Sequence, residues 1–240
     1  MTSQDPHADL PIGAPVPDPT PRSRPTATAL QGDAVSLRPH DPSRDSEALF
    51  AASHGTPELE RVWTYLPAGP FSSAAELEDW YRTMAEPGDP HFYTVIDNRN
   101  EAPSGIVSFL AIEPDHGSIE IGHIWYTPSL QRTAANTEAC YLLLREAFDS
   151  LGYRRMEWKC DALNARSRAA ALRLGFQFEG VFRQHRIVNG RNRDTAWFSI
   201  LDSEWPTVRA GMERWLGWKE EDGSRPSLST LRDAAGSGGA

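Results

Sequence analysis

Three groups of residues in this 240-residue chain have types and spacings that suit chemistry. The first is a polar loop that feeds a helix. Ser118 to Tyr126 alternates and is rich in β-branched and aromatic residues, which predicts a strand ended by Thr127-Pro128. Ser129 to Ala135 is a polar loop. Beyond it Cys140, Leu143, Leu144, Ala147, Phe148 and Leu151 recur at three- and four-residue steps, the apolar stripe of a helix that Gly152 can cap. A helix N-terminus carries unpaired N–H groups and a partial positive charge, which suits an anion such as a pyrophosphate. The second group centres on Glu120 within that strand. Alternation places Glu120, Gly122, Ile124 and Tyr126 on one face and Ile121, His123 and Trp125 on the other. A carboxylate at the centre of a sheet needs a partner. The third is the loop-like run Thr56 to Phe71, with Trp63, Tyr65, Leu66 and Phe71. Such rings either plug the core or line a pocket, where they attract a cationic amine. The two cysteines are Cys140, on the apolar helix face, and Cys160, in a predicted strand. Neither has the histidine-and-acid setting of a nucleophile, and no disulfide framework is indicated.

The elements that position these groups follow from the rest of the chain. Residues 1–33 are Pro-, Ala-, Thr- and Asp-rich without apolar period, which predicts a disordered tail. Val35 to Arg38 is a first short strand. Asp41-Pro42 opens a helix to about Ser53, and Ser73 with Glu76 forms a capping-box pattern that opens another, closed by Pro87-Gly88. Strands follow at His91 to Ile96, Ser104 to Ile112, Ser118 to Tyr126 and Arg155 to Cys160. Asn164 caps a short helix ending at Gly175. Strands Phe176 to Val188 and Asp194 to Leu201 flank the Asn189-Gly190 hairpin turn, and a last helix runs from Thr207 to Leu216. The domain is therefore 34–218, and 219–240 is a second disordered tail. Seven strands in this order give a mixed, mostly antiparallel sheet flanked by helices, an α+β fold.

Net charge is −9 and the pI near 5.3, which argues against general nucleic-acid binding and is compatible with an amine substrate. No apolar run approaches the roughly 20 residues of a membrane span, and no signal-peptide pattern opens the chain, so a cytoplasmic location is expected.

In this order and spacing, the motifs Glu120-Ile-Gly122, Gln131-Arg-Thr-Ala-Ala-Asn136, Asp161-Ala-Leu-Asn164 with Ser167, Leu174-Gly-Phe176, Glu179-Gly180 before Arg183, and Ile200-Leu-Asp-Ser-Glu-Trp-Pro206 resemble the GCN5-related N-acetyltransferase (GNAT) superfamily. The likeness covers about Val35 to Leu216 and is nearest to the ribosomal-protein-alanine N-acetyltransferase (RimJ/RimL-like) branch. It implies an N-acetyltransferase with acetyl-CoA in a V-shaped gap where the fourth and fifth predicted strands splay apart. By position, Ile124, Trp125 and Tyr126 offer backbone groups to the pantetheine arm. Gln131, Arg132, Thr133, Ala134, Ala135 and Asn136 hold the pyrophosphate, with alanines where the superfamily often has glycines. Asn164 matches an asparagine that contacts the cofactor arm; a plain helix cap is the alternative.

The resemblance also implies chemical roles. Glu120 aligns with a strand carboxylate that acts as general base, because only the free amine attacks a thioester. Its alternative is a structural ion pair with Arg183 or Arg186. Ser167 is the candidate proton donor to the departing thiolate, since the position of the superfamily's usual tyrosine is Ala171. A second carboxylate of this branch is replaced by Arg186, leaving His185 or a water chain as fallback bases. Trp63, Tyr65 and His185 are the acceptor-side candidates. No metal is expected. The acceptor is a primary amine, either a small molecule or a protein N-terminus, and the protein is a monomer or homodimer. The competing readings are a catalytically weak acyl-CoA-binding regulatory module of the same fold, and an enzyme of this superfamily that uses a different acyl donor on a small-molecule biosynthetic intermediate.

Overall fold

Side-chain caps set the helix starts. In the computed structural model, which describes residues 10–219 and 224–236, the Asp41 carboxylate accepts the N–H groups of Ser43 and Arg44. Helix α1 (Pro42–Ser53) follows. A single turn, α2 (Pro57–Glu60), starts at Thr56, so the run expected to be a loop is partly helical. Ser73 accepts the Glu76 N–H and opens α3 (Ala74–Ala85). The Glu76 carboxylate reaches back to Ser72 instead of Ser73, a capping box displaced by one residue. Helix α4 (Ala135–Arg145) runs on into a π-helical turn, Glu146–Ser150. Asn164 caps α5 (Ala165–Leu174), and Gly175, at φ 104°, takes the left-handed conformation that ends it. Helices α6 (Trp205–Leu216) and α7 (Leu228–Gly236) complete the set.

The strands are β1 (Leu30–Gln31), β2 (Val35–Pro39), β3 (His91–Asp97), β4 (Ala102–Glu113), β5 (Ser118–Tyr126), β6 (Arg155–Asp161), β7 (Gln177–Val188) and β8 (Arg191–Leu201). They form one sheet in the order β1-β2-β3-β4-β5-β6-β8-β7. Every pairing is antiparallel except β5 with β6, which the α4 crossover joins in parallel. The architecture is the expected mixed α+β sheet, with eight strands instead of seven.

The extra strand lies inside the segment expected to be disordered. Leu30 pairs with Leu37, and upstream the Arg22 N–H donates to the Pro114 carbonyl. The Glu138 carboxylate accepts the N–H groups of Asp33, Ala34 and Val35, which pins this segment to α4. At the other end α7 buries Leu228 and Leu231. Both ordered pieces are too short for a readable period. The remaining tail positions, 1–9, 220–223 and 237–240, lie outside the described residues.

Each sheet face has its own core. One holds Ile119, Ile121 and Tyr126 of β5 with Met156, Trp158 and Cys160 of β6 under α4, α5 and α6. The other packs Leu49 of α1 and Leu77 and Tyr81 of α3 on Phe92, Ile106 and Trp125. That second face is open over β6, β8 and β7: Arg155, Glu157, Lys159 and Asp161 are half-buried, and β7 is mostly exposed.

Candidate active site

The sheet parts in its middle. β5 and β6 are paired at Ser118–Arg155, Ile119–Met156 and Glu120–Glu157 and no further. From Ile121 onward the β5 edge that faces β6 is unpaired, which leaves strand hydrogen-bonding groups available. Glu120 stands at the apex of this gap.

A bulge re-aims the strand just past the apex. Ser108 faces Gly122 and Ile106 faces Trp125, so β5 carries one residue more than β4 across this interval. His123, at φ 50°, supplies it. The alternation inferred from sequence therefore fails here. Ile124 and Tyr126 join the α4-side core, while His123 and Trp125 fall on the side of Glu120. The same rotation buries the Trp125 and Tyr126 side chains, leaving their backbone as the part that can serve the gap.

Glu120 is 6% exposed and is not paired with Arg183 or Arg186. Its partner is Lys159, whose Nζ lies 2.9 Å from Glu120 Oε2, 2.8 Å from Glu157 Oε2 and 4.1 Å from the centre of the Trp197 ring. Glu157 continues to Arg155 (2.8 Å), and Arg155 to Glu179 (2.6 Å). Burial pushes the Glu120 carboxyl above the usual carboxylate range, while the Lys159 charge opposes this. Strand alternation shows that Lys159 shares a face with Glu157. That it meets Glu120 depends on the β5–β6 register, which the sequence does not carry.

His123 carries no role in the sequence reading, yet its ring lies on the Glu120 side of β5, packed against Phe92 and Trp80. Ser108 Oγ lies 3.1 Å from the Gly122 carbonyl and 3.0 Å from His123 Nδ1. One hydroxyl proton serves both contacts only if it goes to the carbonyl and His123 Nδ1–H donates to Oγ. Nε2 then keeps its lone pair. Burial lowers the His123 pKa to about 4, so the ring is neutral at pH 7.

The predicted anion loop adjoins the open end of β5. Gln131 Nε2 donates to the Tyr126 carbonyl (2.9 Å), tying loop to strand. Thr133 Oγ1 accepts the Ala135 N–H (3.2 Å). The N–H groups of Ala134, Asn136 and Thr137 have no acceptor among the described residues. Ala134 is in the right-handed helical region and Ala135 is buried in the core, so alanine causes no backbone strain there. Only Arg132, at φ 63°, is left-handed. The loop keeps its N–H groups without the family's glycines.

On the far side of the gap Asn164 Oδ1 accepts the Ser167 N–H at 3.1 Å, the helix-cap role. Ser167 Oγ accepts the Trp158 Nε1–H at 3.0 Å, and its own hydroxyl proton is shared with the neighbouring Cys160 sulfur. Ala171 is fully buried.

The acceptor-side candidates separate. Trp63 is 2% exposed and packs on Phe71 (5.2 Å) and Trp125 (5.6 Å), with Nε1–H donating to the Ser53 carbonyl. It is a core plug, not a pocket rim; a ring of this size gains more from burial than from a solvent edge. Tyr65 is 44% exposed. His185 hydrogen-bonds Thr195 Oγ1 (3.0 Å) and lies 6.0 Å from the Trp197 ring, on the open face that holds Lys159. Among the described residues no group of three His, Cys, Asp or Glu could hold a metal ion, and no helix is long and apolar enough to cross a membrane.

Comparison with known proteins agrees with this geometry. A model of the acetyltransferase (GNAT) domain matches residues 35–177. A crystal structure of a GCN5-related N-acetyltransferase from Brucella melitensis superposes with TM-score 0.84 at 41% identity, over 89% of this chain and 98% of that one. A Bacillus subtilis protein provisionally named a ribosomal N-acetyltransferase, YdaF, is 27% identical over 182 residues, 74% of this chain and 97% of its own length. The ribosomal-protein-serine acetyltransferase of Escherichia coli is 34% identical over 101 residues, 42% of this chain and 56% of that protein.

Proposed function

The chain belongs to the GNAT family of N-acetyltransferases, and on that premise we infer that it moves an acetyl group from acetyl-CoA to a primary amine by direct attack, with Glu120 as general base. The carrying observation is the parting of β5 from β6 at Glu120, beside a loop with unpaired N–H groups. Acetyl-CoA supplies the activated acyl group and a thiolate leaving group. Ile124, Trp125 and Tyr126 would serve its pantetheine arm through backbone groups. Gln131 to Asn136 would hold its pyrophosphate through N–H groups at the α4 terminus. Asn164 would contact the same arm.

An alkylammonium must lose a proton before it attacks. Glu120, buried and ion-paired with Lys159, stands at the apex and in its carboxylate form accepts that proton. Ser167, whose oxygen is already engaged by Trp158, donates its hydroxyl proton to the thiolate. Neither cysteine takes part: both are buried, and burial raises the Cys140 thiol to about 12. Tyr65 and His185 lie on the acceptor side. The acceptor is a small-molecule amine or a protein N-terminal amine, the latter favoured by the names of YdaF and the Escherichia coli relative.

His123 carries a second reading of the base, because its tautomer is fixed and its ring is neutral. Thiol release with acetyl-CoA and an amine panel separates the two. Glu120→Gln is expected to lower kcat about 10²–10⁴-fold with acetyl-CoA affinity unchanged, and His123→Asn to change it little. The reverse result transfers the role to His123. Thiol release unaffected by either change, or absent with every amine, sinks the mechanism.

A further inference from the structure

The open face beyond Lys159 carries positive charge without an ion-pair partner. On β8 the alternate residues Arg193, Thr195 and Trp197 share a face, and Trp197 lies opposite Lys159 of β6. β7 returns a matching set. Phe182 packs against Trp197 in a tilted arrangement, 4.7 Å between ring centres, and His185 reaches Thr195. Between Phe182 and Arg186 the strand bulges, and Arg183, Gln184 and His185 loop out to line a shallow pocket with Phe182. Past the bulge Arg186 stands directly opposite Arg193. Directly opposed like charges on antiparallel strands are destabilising.

Neither arginine has a salt bridge among the described residues. The carboxylates of Asp194, next to Arg193 in β8, and of Asp161, in the neighbouring β6, are engaged elsewhere. Asp194 accepts the Gln184 N–H and Asn192 Nδ2, and Asp161 accepts the Leu163 N–H. Two donors on this face, Arg193 Nε and Trp197 Nε1, are shielded from solvent and have no acceptor among the described residues. Unpaired buried donors cost free energy that an acceptor group restores. The face is also coupled to the catalytic apex: burial pushes the Glu120 carboxyl up and the Arg193 charge opposes this, while burial and then the charges of Arg186, Arg193 and Lys159 disfavour protonated His185. A bare cationic amine gains nothing from this wall. An amine that also carries an anionic group gains a guanidinium pair suited to a planar carboxylate.

We propose that Arg186 and Arg193 form a carboxylate-binding subsite on the open face of β7 and β8, so that the preferred acceptor is an amine bearing an acidic group. The amino group points to Glu120 and the carboxylate to the arginine pair. The assignment rests on the acetyl-transfer reading for the direction in which the acceptor lies.

The test compares ω-amino acids from glycine to 6-aminohexanoate with their primary amides, by thiol release. At one chain length the acid is expected to exceed its amide at least tenfold in kcat/KM. Arg186→Gln/Arg193→Gln removes the acid's advantage over its amide by raising KM for the acid, while KM for the amide and KM for acetyl-CoA stay unchanged. No acid preference at any length overturns the proposal. So does a rise in KM shared by acids and amides. A rise in KM for acetyl-CoA overturns it too, and gives the arginines to the donor's phosphates. A second measurement is independent of turnover: titration of the Trp197 indole N–H resonance, assigned with Trp197→Phe, by glutarate and by glutaramide. Saturable shifts with glutarate alone, lost in the double variant, support the subsite even if no amine is acetylated, in which case the catalytic reading fails by itself. Equal responses to the two ligands, or none, remove the subsite.

Discussion

Glu120 is held between two opposing effects. Burial and the neighbouring Glu157 favour its neutral form, and Lys159, 2.9 Å away, favours the carboxylate. The net direction is upward, so the acid limb of kcat/KM is expected above the ordinary glutamate value of about 4.3. Activity falls as pH drops through that limb, because the base is then protonated. Lys159→Met removes the opposing cation and leaves the burial, so the limb moves to still higher pH and activity lost at pH 7 returns in more alkaline buffer. An unshifted profile in that variant would take the base role from Glu120. Trp63 belongs at this scale too. Because its ring is packed among Phe71, His54 and Trp125, Trp63→Leu is expected to cost about 2 kcal/mol or more in urea unfolding, a cavity effect. KM for the amine stays as it was; a selective rise in KM with stability intact would restore the ring to the acceptor wall.

The gap depends on how β4, β5 and β6 fit together. Gly105 pairs with Tyr126, and a Cβ placed on it would run into the Trp125 carbonyl oxygen and come within 3.1 Å of Tyr126 Cα. Neither backbone atom can yield as a flexible side chain does. Gly105→Ala is thus expected to cost about 1–3 kcal/mol and to weaken acetyl-CoA binding, since the displaced residues are the end of β5 that borders the gap. Calorimetry showing unchanged acetyl-CoA affinity would dissociate that end of β5 from the donor site. The elements themselves were legible where the signal is local. Asp41, Ser73 and Asn164 cap helices as their types and spacing indicate, and Asn189-Gly190 turns the β7–β8 hairpin. Non-local features were not. The His123 bulge inverts an alternation that the residue types alone present as regular. Lys159 meets Glu120 through a parallel register formed across an intervening helix. Leu30–Gln31 is a strand because β2 accepts it, not because two residues carry a pattern.

At the scale of the molecule the C-terminal segment, composition-wise a tail, is part of the packing. Leu228 and Leu231 of α7 are buried, and Gly211 of α6 lets the two helices approach closely. A Cβ on Gly211 would stand 2.7 Å from Arg232 Cα and 3.0 Å from its backbone nitrogen. The same residue has a second, opposite effect. Glycine inside a helix is less favourable than alanine by roughly 0.5–1 kcal/mol when nothing blocks the methyl group. The sign of Gly211→Ala therefore reports whether α7 is docked. In the full chain the substitution should destabilise by about 1–3 kcal/mol, through overpacking against α7. In a chain ending at Lys219 it should be neutral or stabilising. The truncation alone should lower Tm by several degrees, because about 1.5–3 kcal/mol of burial is lost for each leucine, less the ordering entropy that is recovered. Urea unfolding of the four proteins closes the cycle, with a coupling between position 211 and α7 expected at 1 kcal/mol or more, on the order seen for residues in contact. If Gly211→Ala has the same effect with and without the segment, α7 is not docked on α6 in solution, and the folded domain ends near Leu216 after all.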